Sequence, residues 1–221
     1  MDLLKRALAP ITEAAWSEID DQAKEVLSGN LTARRLVDFN GPEGWDASAV
    51  NLGQIDMKTK EAVKGVEWGM RLVLPLCEIR VPFTLNIWDI DNIARGSKTA
   101  DLDAVVSAAQ KAALFEEQAV FSGLDEACIN GIIPGSPHKP VQLPASAEGM
   151  AAAVESAVVA IEKAAIGGPY ALVLGTDAYQ KLMTGDQRGY PLKKRVEDLI
   201  RGDICWSPAV KGGVLMSQRG G

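Results

Sequence analysis

A single histidine, three cysteines and an aromatic share of 5% in 221 residues leave little material for the commonest catalytic and metal-binding arrangements. His138, in the loop Pro137-His138-Lys139-Pro140, has neither a neighbouring cysteine nor paired acids. It cannot build a zinc site, and no GxSxG-type nucleophile motif accompanies it. Cys77, Cys128 and Cys205 stand at wide, unrelated spacings without a CxxC, which reads as buried thiols in a reducing compartment. Clustered positive charge is scarce too. A net charge of −6 and a pI near 4.9 exclude a phosphate-gripping surface, so no nucleic-acid partner is expected. The one basic run, Lys193-Lys194-Arg195, is followed by Glu197 and Asp198 in the same predicted helix and reads as a solvated face. The most apolar stretch, Met150 to Ile166, is broken by Glu155, Glu162 and Lys163 and cannot span a bilayer. Asp2 and the lack of an apolar run before Pro10 argue against a secretory leader, so cytoplasmic residence is the default expectation.

What the chain does hold is organised around Leu76 to Gly123, where an alternating strand is predicted to feed through Arg95-Gly96-Ser97 into one long helix. From Leu102 onward Val105, Val106, Ala109, Ala113 and Val120 recur at helical spacing, with Lys111, Glu116, Glu117 and Gln118 elsewhere on the wheel. Thr99 or Asp101 is expected to cap this helix and Gly123 to end it; Phe115 and Phe121 fall off the main stripe. Before it, Thr12 to Leu27 reads as an amphipathic helix capped by Thr12, with Trp16, Ile19, Ala23, Val26 and Leu27 on one side and Gly29-Asn30 as the break. Leu36 to Trp45 reads as an extended arm. Two β segments follow, Val50 to Lys58 and Val66 to Leu85, around Thr59-Lys60-Glu61. In the second, apolar parity slips at Pro75, which predicts a bulge or bend near Pro75 to Cys77, a protruding hairpin before it and a core strand after it.

Ile129 to Pro144 is predicted as loop, after which a second subdomain begins. Its expected order is helix (Glu148 to Ala165), strand (Tyr170 to Leu174), a helix capped at Thr176, the loop Thr184 to Gly189, a helix opened by Pro191, and strands at Ile204 to Trp206 and Val214 to Ser217. Gly167-Gly168-Pro169 precedes a strand and is no phosphate loop. Asp89 and Asp91 alternate on a predicted strand-to-turn segment, a solvated edge or a pair for acid-base or cation work. Trp88 offers a flat surface for a planar ligand such as a flavin. No catalytic residue and no metal ligand set emerges. The features that stand out, an arm, a projecting hairpin and a dockable N-terminal helix, are those of assembly.

Leu8-Ala9-Pro10-Ile11-Thr12 with Trp16, then Arg34-Arg35-Leu36-Val37-Asp38, Gly41-Pro42, Gly44-Trp45, Pro82-Phe83-Thr84-Leu85 with Trp88, Asp91 and Arg95-Gly96, then Gly168-Pro169-Tyr170, Gly189-Tyr190-Pro191-Leu192 and Arg219-Gly220-Gly221 form one ordered set. That set closely resembles the family 1 encapsulins, nanocompartment shell proteins of bacteria and archaea once described as linocin-type bacteriocins. The resemblance implies an α+β tailed-phage major capsid fold of the Hong Kong 97 type. Its parts would be an N-terminal helix and arm (1–45), an extended loop (46–76), a peripheral domain with the spine helix (77–134) and an axial domain (135–221). It implies a non-enzymatic protein whose copies, sixty or a multiple of sixty, close into an icosahedral shell. It also implies a cargo enzyme held by a C-terminal targeting peptide, by family habit a dye-decolourising peroxidase or a ferritin-like protein, hence roles in oxidative stress or iron storage.

By motif position the resemblance places Leu27, Leu31, Arg34 and Asp38 in the cargo groove, unless Leu27 and Leu31 simply hold the helix to its own domain. It places Asp186, Gln187 and Arg188 at the five-fold pore. No cofactor is required, with flavin at Trp88 as an alternative. Family members continue past the Arg-Gly-Gly with strands that return to the peripheral domain, whereas this sequence ends at Gly221, so a sheet without those strands is expected. The rival readings are a phage or prophage capsid protein and, in another class, a flavin-binding or hydrolytic enzyme.

Overall fold

The computed structural model describes residues 5–59, 62–144, 146–187 and 189–218. Its centre is a three-stranded sheet in the order β6-β3-β7, with β3 (Tyr170–Leu174) parallel to β6 (Ile204–Trp206) and antiparallel to β7 (Gly213–Ser217). All five residues of β3 are buried. Alternation along the strand sends them to opposite sides. Tyr170, Leu172 and Leu174 join a cluster built from α5 (Ala147–Lys163), α6 (Thr176–Thr184) and α7 (Leu192–Ile200), in which Leu182, Leu192, Val196 and Ile200 are fully covered. Ala171 and Val173 face Phe121, Ala33, Leu36, Cys205 and Val210.

Phe121 belongs to α3 (Asp103–Ser122), the predicted spine helix. The N-cap is Leu102, without a side-chain cap, rather than Thr99 or Asp101; one residue earlier Asp101 accepts the Asp103 N–H at 3.0 Å. Gly123 ends the helix at φ +86° and ψ 168°, a region that side chains enter only with strain. An added Cβ there would also sit 2.8 Å from the Gly131 nitrogen and 2.9 Å from the Ile129 oxygen. Gly123→Ala is therefore expected to cost about 1–3 kcal/mol, read as a lowered denaturation midpoint.

At its other end α3 packs on α1 (Glu13–Asn30), which also meets the short α2 (Ile87–Ala94). Ile19, Leu102 and Val105 form the buried centre, with Trp16, Ala23, Leu85 and Ile93 packed around it. Thr12 caps α1 as expected, accepting the Ala15 N–H at 3.3 Å, and the helix runs through Gly29 to Asn30 before stopping.

Several expectations are corrected. The long strand predicted from Val66 to Leu85 is β2, Trp68–Pro75, which pairs antiparallel with β1, Ala49–Lys58. After Pro75 the chain is extended but unpaired, apart from a 2.9 Å bond from the Leu76 N–H to the Ser48 carbonyl, and Leu85 packs on helices. No strand lies beside it among the described residues, and Pro82 cannot donate to one. The irregularity belongs to β1 instead, where the register shifts between Asn51 and Ile55 around Gly53 at φ +69°. A short helix, α4 (Ile132–Gly135), interrupts the loop predicted for Ile129 to Pro144. The cap of α6 is Gly175; Thr176 is its first residue and accepts the Trp206 Nε1–H at 3.1 Å. Of the cysteines only Cys205 is buried, and burial raises its thiol pKa; Cys77 and Cys128 are exposed.

The β1–β2 hairpin stands apart from this core. Every residue in both strands is exposed. Lys60 and Glu61, where the sequence predicts the connection between the two strands, lie outside the described residues.

Candidate docking site and family

The last turn of α1 and the 3-10 turn Ala33–Arg35 form a corner clasped by α3 from outside and inside. Outside, Arg34 donates through Nε and Nη2 to the two Glu116 oxygens at 2.5 and 2.6 Å, and its guanidinium lies 4.5 Å from the Phe39 ring centre. A paired fork of this kind fixes the side chain's plane. Because the pair is solvent-facing, it contributes little to stability, about 1 kcal/mol at most.

Inside, Glu117 is only 1% exposed. One of its oxygens accepts the Ala33 N–H at 2.7 Å and the other the Ser207 hydroxyl at 2.8 Å. Thr32, also 1% exposed, donates to the Trp206 carbonyl at 2.9 Å. The corner is thus bonded both to α3 and to the end of β6.

Glu117 was expected on the solvated side of the wheel and lies on the buried one. The signal was there: Val105, Ala109, Ala113, Glu117 and Phe121 follow one another at four-residue steps, and all five are buried. A charged residue counts as polar in a periodicity reading, although here two donors satisfy its oxygens.

Burial pushes the Glu117 carboxyl above the ordinary glutamate range, aided by Glu116, against the opposing pull of the Ala33 and Ser207 bonds and of Arg35. A raised folded value means that the protonated form favours the fold. Its contribution is full below the ordinary glutamate pKa and is lost as pH rises through the folded value. Glu117→Gln keeps one acceptor and one donor and does not titrate. The stability of wild type relative to Glu117→Gln is therefore expected to fall as pH rises above the ordinary glutamate range, measured as paired denaturation midpoints.

The other predicted residues fall as follows. Leu27 is half-buried, Leu31 is 8% exposed, and Asp38 is exposed on the arm after the turn. Leu31 is thus almost wholly covered within the chain, while Leu27, Arg34 and Asp38 keep accessible surface. The backbone of Asp186 and Gln187 forms a two-residue strand, β4, paired with β5 (Tyr190–Pro191). An Asp186 oxygen accepts the Gly189 N–H at 2.7 Å, closing the hairpin on itself; Arg188 lies outside the described residues. Trp88 is 67% exposed on α2. Asp89 and Asp91 sit on that helix rather than on a strand, and two positions apart they point to different sides. Among the described residues no group of three or more acids, cysteines or histidines could hold a metal ion, and no helix is long and apolar enough to cross a membrane.

Residues 1–221 match the family model Linocin M18, described as "Encapsulating protein for peroxidase". A type 1 encapsulin shell protein of Rhodospirillum rubrum is 42% identical over 100% of this chain and 81% of its own length. The chain belongs to the encapsulin family. A second type 1 encapsulin shell protein, from Mycolicibacterium paratuberculosis, is 38% identical over 100% of this chain and 83% of its own length. These relatives are named as shell proteins, structural components rather than enzymes. The fold is confirmed separately by the crystal structure of a virus-like particle from Pyrococcus furiosus, with a TM-score of 0.58 at 14% identity over 91% of this chain and 78% of that one. This encapsulin chain accordingly has the α+β capsid fold.

Proposed function

We propose that this encapsulin chain closes with copies of itself into an icosahedral cytoplasmic shell that takes in an enzyme through a C-terminal targeting peptide. The observation that carries self-assembly is the hairpin. Val50, Leu52, Ile55, Met57, Met70, Leu72 and Leu74 are all exposed on strands that no core cluster of this chain covers. Apolar surface on that scale belongs to an interface.

Cargo capture is supported by the corner at the end of α1. Leu27 supplies an apolar wall there, with Leu31 as its floor. Arg34, fixed by Glu116, and Asp38 supply polar groups to orient a peptide backbone. The family description favours a peroxidase as cargo, with a ferritin-like protein as the second choice. The hairpin of Asp186 and Gln187, with Arg188, would line a pore for small solutes. No cofactor is needed for any of this. The exposed Trp88 ring would be the place for a flavin, whose absorption spectrum would show it.

Size-exclusion chromatography and negative-stain microscopy of the purified protein, with mass spectrometry of whatever co-purifies, test the reading. Closed particles containing an oxidative enzyme are expected. A persistent monomer at high concentration would remove the shell, and empty particles from the native host would remove the cargo.

A further inference from the structure

Among the groups that no part of this reading uses, Glu117 is the most demanding: a carboxyl enclosed in the protein whose hydrogen bonds go to a backbone N–H and a hydroxyl. Burying such a group without partners costs several kcal/mol, and with partners it fixes whatever those partners belong to. Its partners come from two distant parts of the chain. Ala33 lies in the turn that carries Arg34, and Ser207 follows directly on β6. The adjacent Glu116 grips the next residue of the same turn from the solvent side. Consecutive glutamates on one helix therefore hold consecutive residues of one turn, one by its side chain and one by its backbone.

We propose that Glu117 is a positioning residue for the docking corner, setting the place of Leu31 and Arg34 by bridging the Ala33 N–H to the Ser207 hydroxyl. This rests on the docking reading only for what the corner receives. The bridge needs hydrogen bonds rather than charge. A protonated carboxyl accepts from Ala33 and donates to Ser207, and so does a glutamine amide. Alanine does neither, leaving the Ala33 N–H buried and unpaired. Ser207→Ala removes one side of the bridge and keeps the Ala33 bond.

The test compares wild type, Glu117→Gln, Glu117→Ala, Ser207→Ala and, as a control of similar destabilisation, Val196→Ala from the cluster on the other side of β3. Amide hydrogen exchange at Ala33 and Arg34 is read first, under conditions where all five chains are folded. Exchange at Ala33 is expected to rise by about tenfold or more in Glu117→Ala, less in Ser207→Ala, and to stay near wild type in Glu117→Gln and Val196→Ala. Loading is read next, as particle-bound fluorescence of a fluorescent protein fused to the C-terminal peptide of the enzyme recovered from wild-type particles. It should fall in Glu117→Ala and be restored by glutamine. Unchanged Ala33 exchange in Glu117→Ala would overturn the proposal, as would an equal rise in Val196→Ala or a glutamine variant that behaves like alanine. Selective loosening in Glu117→Ala together with no loading of wild type would retire the docking reading and uphold the hold of Glu117 on the turn.

Discussion

Replacing Leu72 and Leu74 together by lysine is expected to give a chain that folds as before and forms no particles. The two residues lie on one face of β2 with Met70 and Trp68; Leu74 stands opposite Val50 across the ladder, and Leu72 opposite the shifted register of β1. They are 37% and 43% exposed in the single chain, so the lysine stems can lie along the strand with their ammonium groups in water. Exposed substitutions of this kind change stability by about 0.5 kcal/mol or less. In the shell proposed above, the same positions would be covered by neighbouring copies. There each lysine would bring an unpaired charge into an apolar contact, repeated in every subunit. Sedimentation or size exclusion reads the loss of particles, and circular dichroism reads the retained fold. Wild-type particles from the double variant would show that the hairpin does not join subunits.

The largest effect on folding is expected from Phe121→Ala. Phe121 is fully buried where the C-terminal turn of α3 meets the Ala171 and Val173 side of β3, and Ala33, Leu36 and Val210 close around it. Truncation of such a side chain costs about 3–5 kcal/mol, much of it from the cavity that rigid neighbours cannot fill. Against a total stability of about 5–15 kcal/mol, that is a large share. The melting midpoint should fall by on the order of ten degrees. Phe83→Ala, at a ring 46% exposed, provides the contrast and should move the midpoint little.

The helices were legible wherever periodicity and caps agree. Thr12, Asp101, Gly123 and Pro191 mark boundaries that stand within a residue or two of the observed ones. The strand past Pro75 was misread because alternation alone does not make a strand; a partner with free backbone groups must lie alongside, and none of the described residues provides one. Asp89 and Asp91 were misplaced for a related reason. Ile87, Trp88 and Ile90 alternate with acids as in a strand, while Asn86, which accepts the Trp88 N–H at 3.0 Å, starts a helix. Of the docking corner, the sequence marks Arg34 and Asp38 only through their motif. Glu116 and Glu117, which set the turn and Arg34 in place, were hidden because their partners are distant in the chain.

The side chains of β3 have a consequence for how the molecule comes apart. Tyr170, Leu172 and Leu174 are fastened among three helices, and Ala171 and Val173 among residues drawn from early, middle and late parts of the polypeptide. Neither cluster can lose its order while the strand between them stays put, because each second residue would drag its neighbours from the other side. Melting followed through the ring of Tyr170 and through the thiol of Cys205 should give superimposable curves.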